Sequence, residues 1–317
     1  MGSQTQLVVC GSIALDRIMN FSGRYKDVIH PEKLHVLSLS VLLDKLEDTP
    51  GGVGANIAYG AAQLGESPVL LGSVGRDADV YVKELAQAGV VTDFVHISEL
   101  PTASFNVITD KEDNQVGGFY PGAMSDSQSL SLAPWAERDV FIVISAHDPA
   151  SMRSQVDEVK RQGMRLLYDP GQQVSNVSGD DLNKGVAAAE MLILNDYEMG
   201  VLCKKTDNTP EALASAIPVV VTTYGKDGST IAGTVVKDPF TVPATTPDKV
   251  LDPTGAGDAY RAGFLYGYLR QWELLSCGRL GSVVASFIVE QHGTQVPLSK
   301  QAIIERYQQT FNEEIQL

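Results

Sequence analysis

The residues best suited to chemistry in this chain are Asp252-Pro253-Thr254-Gly255-Ala256-Gly257-Asp258. Gly255, Ala256 and Gly257 carry little or no side chain, so backbone N–H groups there can converge on one spot. Ala259, Ala262, Gly263, Tyr266 and Leu269 then recur at helical spacing, which predicts a helix opening directly after the turn. Unpaired N–H groups and the positive end of the helix dipole make such a start an anion site. Asp258 adds a carboxylate at its mouth. The matching chemistry is a phosphoryl group held by the N–H groups while the carboxylate takes a proton from an attacking hydroxyl. The alternative is a helix start at which Asp258 only caps the helix or offsets its dipole.

Stepping along the chain, several elements could position that turn. Leu7-Val8-Val9-Cys10-Gly11 reads as a buried strand, and Asp16 lies just past its end, where open α/β sheets bind ligands. A turn or N-cap role for Asp16 competes with this. Gly51-Gly52-Val53-Gly54-Ala55-Asn56 precedes an apolar helix face of Ile57, Ala58, Ala61 and Leu64. The paired glycines allow a ligand close to the backbone, and Asn56 can donate and accept hydrogen bonds; the alternative is glycines that serve only the turn. Pro68 to Gly75 reads as a strand with Arg76 at its end, an anion or lid contact or else a surface salt bridge.

Two segments break the α/β pattern. Residues 17 to 50 include Leu34-His35-Val36-Leu37-Ser38-Leu39 with alternating apolar positions, and Ser104–Thr109 and Gln115–Tyr120 flank the turn 110–114 as a hairpin. They predict a small accessory sheet, either a lid over a pocket or an edge extension or dimer surface. From 139 onward strands and helices alternate: strand 139–145, helix 150–162, strand 165–169, helix 180–190 and strand 191–194. That rhythm predicts a mostly parallel, doubly wound sheet with helices on both faces. Asn195 and Glu198 follow the last of these strands, spaced either to hold hydrated Mg²⁺ on a nucleotide or to form a capping box. Val219–Thr222 enters the turn 223–228, which by itself is an ordinary β-turn before Ser229–Ala232. Leu280, Val283, Val284, Phe287 and Ile288 mark a helix ending near His292-Gly293-Thr294, and 299–313 a closing helix.

Composition bounds the partners. The 317 residues are 44% hydrophobic and 20% charged, a globular balance. A net charge of −15 argues against nucleic acid or anionic membranes, and no apolar run approaches the ~20 residues that span a bilayer. Met1 to Gln6 shows no leader pattern, so a cytoplasmic protein is expected. Cys10, Cys203 and Cys277 are far apart and read as buried small hydrophobes, and the five histidines lack metal-ligand spacing.

The string from Asp252 to Asp258, and Gly51-Gly52-x-x-x-Asn56 upstream of it, resemble the two signatures of the ribokinase-like (PfkB) family of carbohydrate and nucleoside kinases. The resemblance spans nearly the whole chain. It implies one ribokinase-like α/β domain over 1–317, with a β lid from about 12–50 and 98–123 that in some relatives pairs two subunits. It implies that Asp258 is the catalytic base and that Gly255, Ala256 and Gly257 form the anion hole. Asp16, Gly51, Gly52 and Asn56 would hold the acceptor's hydroxyls. Asn195 and Glu198 match the N-x-x-E element linked with Mg²⁺ and phosphate; Thr223 and Gly225, with Gly228 in the same turn, match T-x-G beside the ATP phosphates. Asp252, Thr254 and the backbone near Gly293 match a monovalent cation site for K⁺, with Pro253 standing where Thr is often found. The implied activity is an ATP-dependent kinase for a primary hydroxyl, in a monomer or homodimer. Phe21–Tyr25, Thr102–Phe105 and Phe119–Met124 look like the bacterial branch often labelled adenosine kinase, and Phe105, Phe119 and Tyr120 could stack on a base or pack within the lid. A nucleoside is therefore the first expected acceptor, ribose, fructose or a related sugar the second; a non-catalytic binding protein of the same fold is a third reading.

Overall fold

Alternation along the strands decides which layer each residue joins. In strand Gln6–Cys10, Leu7 and Val9 enter one apolar cluster while Val8 and Cys10 enter another on the opposite face. Strand Val140–Ile144 divides likewise, Phe141 and Val143 against Ile142 and Ile144. The first cluster is covered by helices Val53–Gln63, Ala256–Leu269 and Leu274–Ile288. The second is covered by Pro149–Gln162, Gly179–Ala188, Asp196–Thr206 and Pro210–Ala216. Each fully buried Leu, Ile or Phe in these layers adds about 1.5–3 kcal/mol of transfer free energy.

The computed structural model describes residues 5–36 and 38–317. Its main sheet has eight strands. Six run parallel, in the order Val69–Leu71, Gln6–Cys10, Val140–Ile144, Arg165–Tyr168, Met191–Asn195 and Val219–Thr223. Ser229–Ala232 and Phe240–Val242 extend the far edge antiparallel. Helices on both faces of a mostly parallel sheet are the doubly wound α/β architecture that the βαβα rhythm predicts.

A second sheet has the order Lys45–Gly51, Ala14–Asn20, Ala103–Thr109, Gln115–Tyr120. Its hairpin turn is held by Asp110, whose carboxylate accepts from the backbone N–H groups of Glu112, Asn114 and Tyr25.

Several expectations change. Leu34–Leu39 is not a lid strand: Pro31–Val36 is a 3-10 turn, and Leu37 lies outside the described residues, as do Met1–Gln4 of the leader reading. The strand this region supplies to the second sheet is Lys45–Gly51, whose Lys-Leu-Glu-Asp-Thr-Pro-Gly sequence lacks apolar alternation because it is a largely solvent-facing edge. Asp16, past the end of strand Gln6–Cys10, sits in neither a turn nor a cap but within a second strand, Ala14–Asn20. The strand expected over 68–75 breaks at Gly72, so that Ser73–Gly75 leaves the main sheet and pairs with His96–Ser98. Cys10 and Cys277 are buried, but Cys203 is only partly so.

Candidate functional site

Gly255 stands before helix Ala256–Leu269 at φ +80°, and no side chain caps that helix start. The left-handed backbone suits glycine, and a Cβ there would also meet Thr294 at 2.8 Å from its Cβ. The first-turn N–H groups therefore meet no capping side chain, and Gly257 is exposed. Asp258, in that first turn, accepts from Asn56 Nδ2 at 2.8 Å. Asn56 is placed by helix Val53–Gln63, whose start is tied to the end of the first strand: Val53 N donates to Ser12 Oγ and Ala55 N to Ser12 O. Gly52, at φ +93°, makes the turn into that helix.

Asp16 reaches the same place from the second sheet. A Cβ on Gly51 would lie 2.6 Å from Asp16 Oδ2, so the carboxylate occupies the room that the missing side chain leaves. Burial, then the carboxylates of Asp252 and Asp258, push Asp16 up to about 6. Burial also pushes Asp258 up to about 6, with Glu198 adding to the rise while Arg261 and the Asn56 bond pull against it. At neutral pH both groups are mostly ionised.

A cleft of about 410 Å³, in the range of small-ligand sites, lies on the other side of the turn. Thr223, Gly225, Lys226 and Gly228 line it together with Ala256 and Gly257. Tyr260, its hydroxyl 2.8 Å from Ser229 Oγ, stands in its wall. Asn195 borders the cleft and is Thr223's partner in the sheet register. Asn195 and Glu198 form a full capping box: Glu198 N donates to Asn195 Oδ1 at 2.8 Å, and Asn195 N donates to Glu198 Oε2 at 3.0 Å. Asp252 Oδ1 accepts from Thr254 N at 2.9 Å, while Gly293, at φ +87°, precedes the Thr294 that packs on Gly255.

Not everything converges. Arg76 pairs with Glu99 on the surface. Phe105 and Phe119 share the register row and face of Asp16, but Tyr120 pairs with Ser104 in the next row and faces away.

The sequence reading passed over Arg261. Its Nη1 donates to Gly257 O at 3.0 Å, its Nη2 to Asp169 Oδ1 at 2.7 Å and to Ile193 O at 3.1 Å, and Glu198 Oε2 lies 3.9 Å away. A cation in a run of Ala, Tyr, Gly and Phe was the available signal, since an arginine is buried only when paired. Among the described residues no group of three or more His, Cys, Asp or Glu could hold a metal ion, and no helix is long and apolar enough to cross a membrane.

Residues 5–301 match the family model described as pfkB family carbohydrate kinase. The chain is 33% identical over 303 residues to a nucleoside kinase of Methanothermobacter thermautotrophicus, covering 93% of each. It superposes with a TM-score of 0.85 on the Burkholderia thailandensis nucleoside kinase in complex with inosine, at 29% identity over 97% of this chain and 99% of that one. The Methanocaldococcus jannaschii nucleoside kinase, an archaeal member of the ribokinase family, gives 0.86 at 26% identity over 98% and 100%.

Proposed function

The chain belongs to the pfkB family of carbohydrate kinases, and from that premise we propose that it transfers the γ-phosphoryl group of ATP to a primary hydroxyl of a nucleoside. The observation that carries this is the position of Asp258. Its carboxylate bonds to Asn56, while Ala256 and Gly257, just before it in the chain, line the cleft. A carboxylate between two binding spaces is where a hydroxyl would lose its proton on meeting a phosphoryl group.

In this reading Asp16, the Gly51-Gly52 backbone and Asn56 orient the acceptor. Asp258 takes the hydroxyl proton as the oxygen attacks in line, and the N–H groups at 255 to 257 hold the charge gathering on the phosphoryl oxygens. Asn195, Thr223, Gly225 and Gly228 face the nucleotide's phosphates from the cleft. The capping box uses Glu198 Oε2, so Oε1 would be the atom to help hold hydrated Mg²⁺, which would supply neutralising charge on the transferred group. Asp252 keeps one oxygen free of its bond to Thr254, so Asp252, Thr254 and the Gly293 backbone suit K⁺.

The nucleoside preference is supported by the relatives that are nucleoside kinases and by Phe105 and Phe119 beside Asp16, where a base could stack. The setting this activity implies is the cytoplasm. ATP consumption with adenosine, inosine, cytidine, ribose and fructose tests the proposal. Turnover with nucleosides supports it, turnover only with sugars moves the acceptor class, and binding without turnover makes the protein a non-catalytic relative.

A further inference from the structure

The amide of Asn56 has its direction imposed from outside the site. The starting point is the carbonyl of Gly51, at the root of lid strand Lys45–Gly51, which can only accept a hydrogen bond. Tyr81 donates its hydroxyl proton to that oxygen at 2.8 Å. A phenol has a single proton, so toward Gln295 the Tyr81 oxygen must accept, and Gln295 meets it through Nε2. The same Nε2 gives its second proton to Asn56 Oδ1 at 3.1 Å. Thr294 lies 2.9 Å from Oδ1 as a further donor, although its one proton is also within reach of Pro50 O at 3.1 Å. With Oδ1 committed, Asn56 turns Nδ2 to Asp258 Oδ2 at 2.8 Å. An amide nitrogen only donates, and a donor held against a carboxyl oxygen favours the ionised form.

We propose that Tyr81 and Gln295 are positioning residues for phosphoryl transfer: through Asn56 they keep Asp258 facing a donor, and so keep it a base, in a partly desolvated site. Neither touches the acceptor in this account; both act through Asn56. Tyr81, Asn56 and Thr294 are buried, so water does not readily replace a missing link. The other charges around Asp258 do not set this direction. Arg261 favours the carboxylate from the same helix, while Glu198, Asp169 and the lid's Asp16 oppose it. A second consequence follows for recognition. Because Gln295, and Thr294 when its proton turns that way, occupy Oδ1, Asn56 meets a ligand chiefly through its remaining Nδ2 proton, as a donor to an acceptor oxygen.

The proposal rests on the phosphotransfer reading above, and the test keeps the two apart. In ¹³C-aspartate-labelled protein without ligands, the Asp258 carboxyl titration is identified by its loss in Asp258→Asn. Gln295→Met, which keeps the bulk and removes both donors, should raise that midpoint by roughly half to one unit, and Tyr81→Phe should shift it in the same direction by less. The acid limb of kcat/KM should move with it. A side chain that matters only for packing would lower the melting temperature and leave the titration in place. Folded Gln295→Met with the parent midpoint overturns the proposal; should that variant not fold, Tyr81→Phe with an unmoved midpoint does the same. Shifted midpoints in a protein that phosphorylates nothing would leave the chain of bonds standing and remove the kinase reading instead.

Discussion

Arg261 and Asp169, 92 positions apart, form a buried ion pair, with Nε 2.6 Å from Oδ2 and side chains 7% and 0% exposed. Asp169 follows strand Arg165–Tyr168, and Arg261 lies one turn into helix Ala256–Leu269, so the pair fixes the helix start against the sheet's carboxyl end. Burial drives the Asp169 carboxyl upward and the guanidinium drives it back. Arg261→Met leaves that carboxylate alone in the interior and should cost about 3–5 kcal/mol in urea unfolding. Arg261→Met with Asp169→Leu should recover most of the stability. It should not recover turnover, because the Gly257 carbonyl loses its donor and Glu198 the positive charge 3.9 Å away.

Asp258→Asn should lower kcat roughly 10²–10⁴-fold in an ATP-coupled assay. The parent needs the ionised form, so with a midpoint of about 6 its kcat/KM should fall as the pH drops below that value.

The same substitution makes a separate statement about stability. The folded value of about 6 lies above the ordinary 3.8, so protonation favours the folded state and the carboxylate is unfavourable at higher pH. Asp258→Asn should therefore stabilise the protein at pH 8 by about 1–3 kcal/mol, a gain that shrinks to a small remainder near pH 4, where the folded carboxyl is protonated and the unfolded one, at its ordinary 3.8, is about half so. Thermal unfolding at the two pH values checks it; equal gains at both would contradict the burial argument.

Gly51→Ala puts a methyl where Asp16 Oδ2 now lies, at 2.6 Å. The carboxylate must swing away, and KM for the acceptor should rise about 10- to 100-fold, as for other displacements near 1 Å. KM for ATP should stay close to the parent's, since the donor cleft lies beyond the turn.

Phe119→Ala and Tyr120→Ala remove neighbouring aromatics from opposite faces of one strand. Loss of Phe119, on the Asp16 face, should raise the nucleoside KM about 5- to 10-fold, the size of one stacked ring. Tyr120→Ala should leave it near the parent's. Equal effects would mean that neither ring stacks on the base.

The central sheet was legible in the sequence because parallel strands covered on both faces must be apolar throughout, as Val140–Ile144 and Val219–Val221 are. Lys45–Gly51 was hidden for the opposite reason, as an edge strand that buries little. At the site, the types and local spacing of Asp258 and Asn56 were visible, but their hydrogen bond spans 202 positions and depends on how two helices pack. Asn195 and Glu198 carried two readings, of which the capping box is realised in the fold. Tyr81 and Gln295, 214 positions apart, are ordinary polar residues until the chain brings them together.

Phe105 and Phe119 stand 40% and 49% exposed on the face of the second sheet that carries Asp16. A base that covers them drives water off apolar surface, and the thermodynamic mark of that event is a negative heat-capacity change. Calorimetry across a span of temperatures should find a binding enthalpy that becomes steadily more favourable on warming for nucleosides, and hardly changes for ribose, which has no base to lay against the two rings.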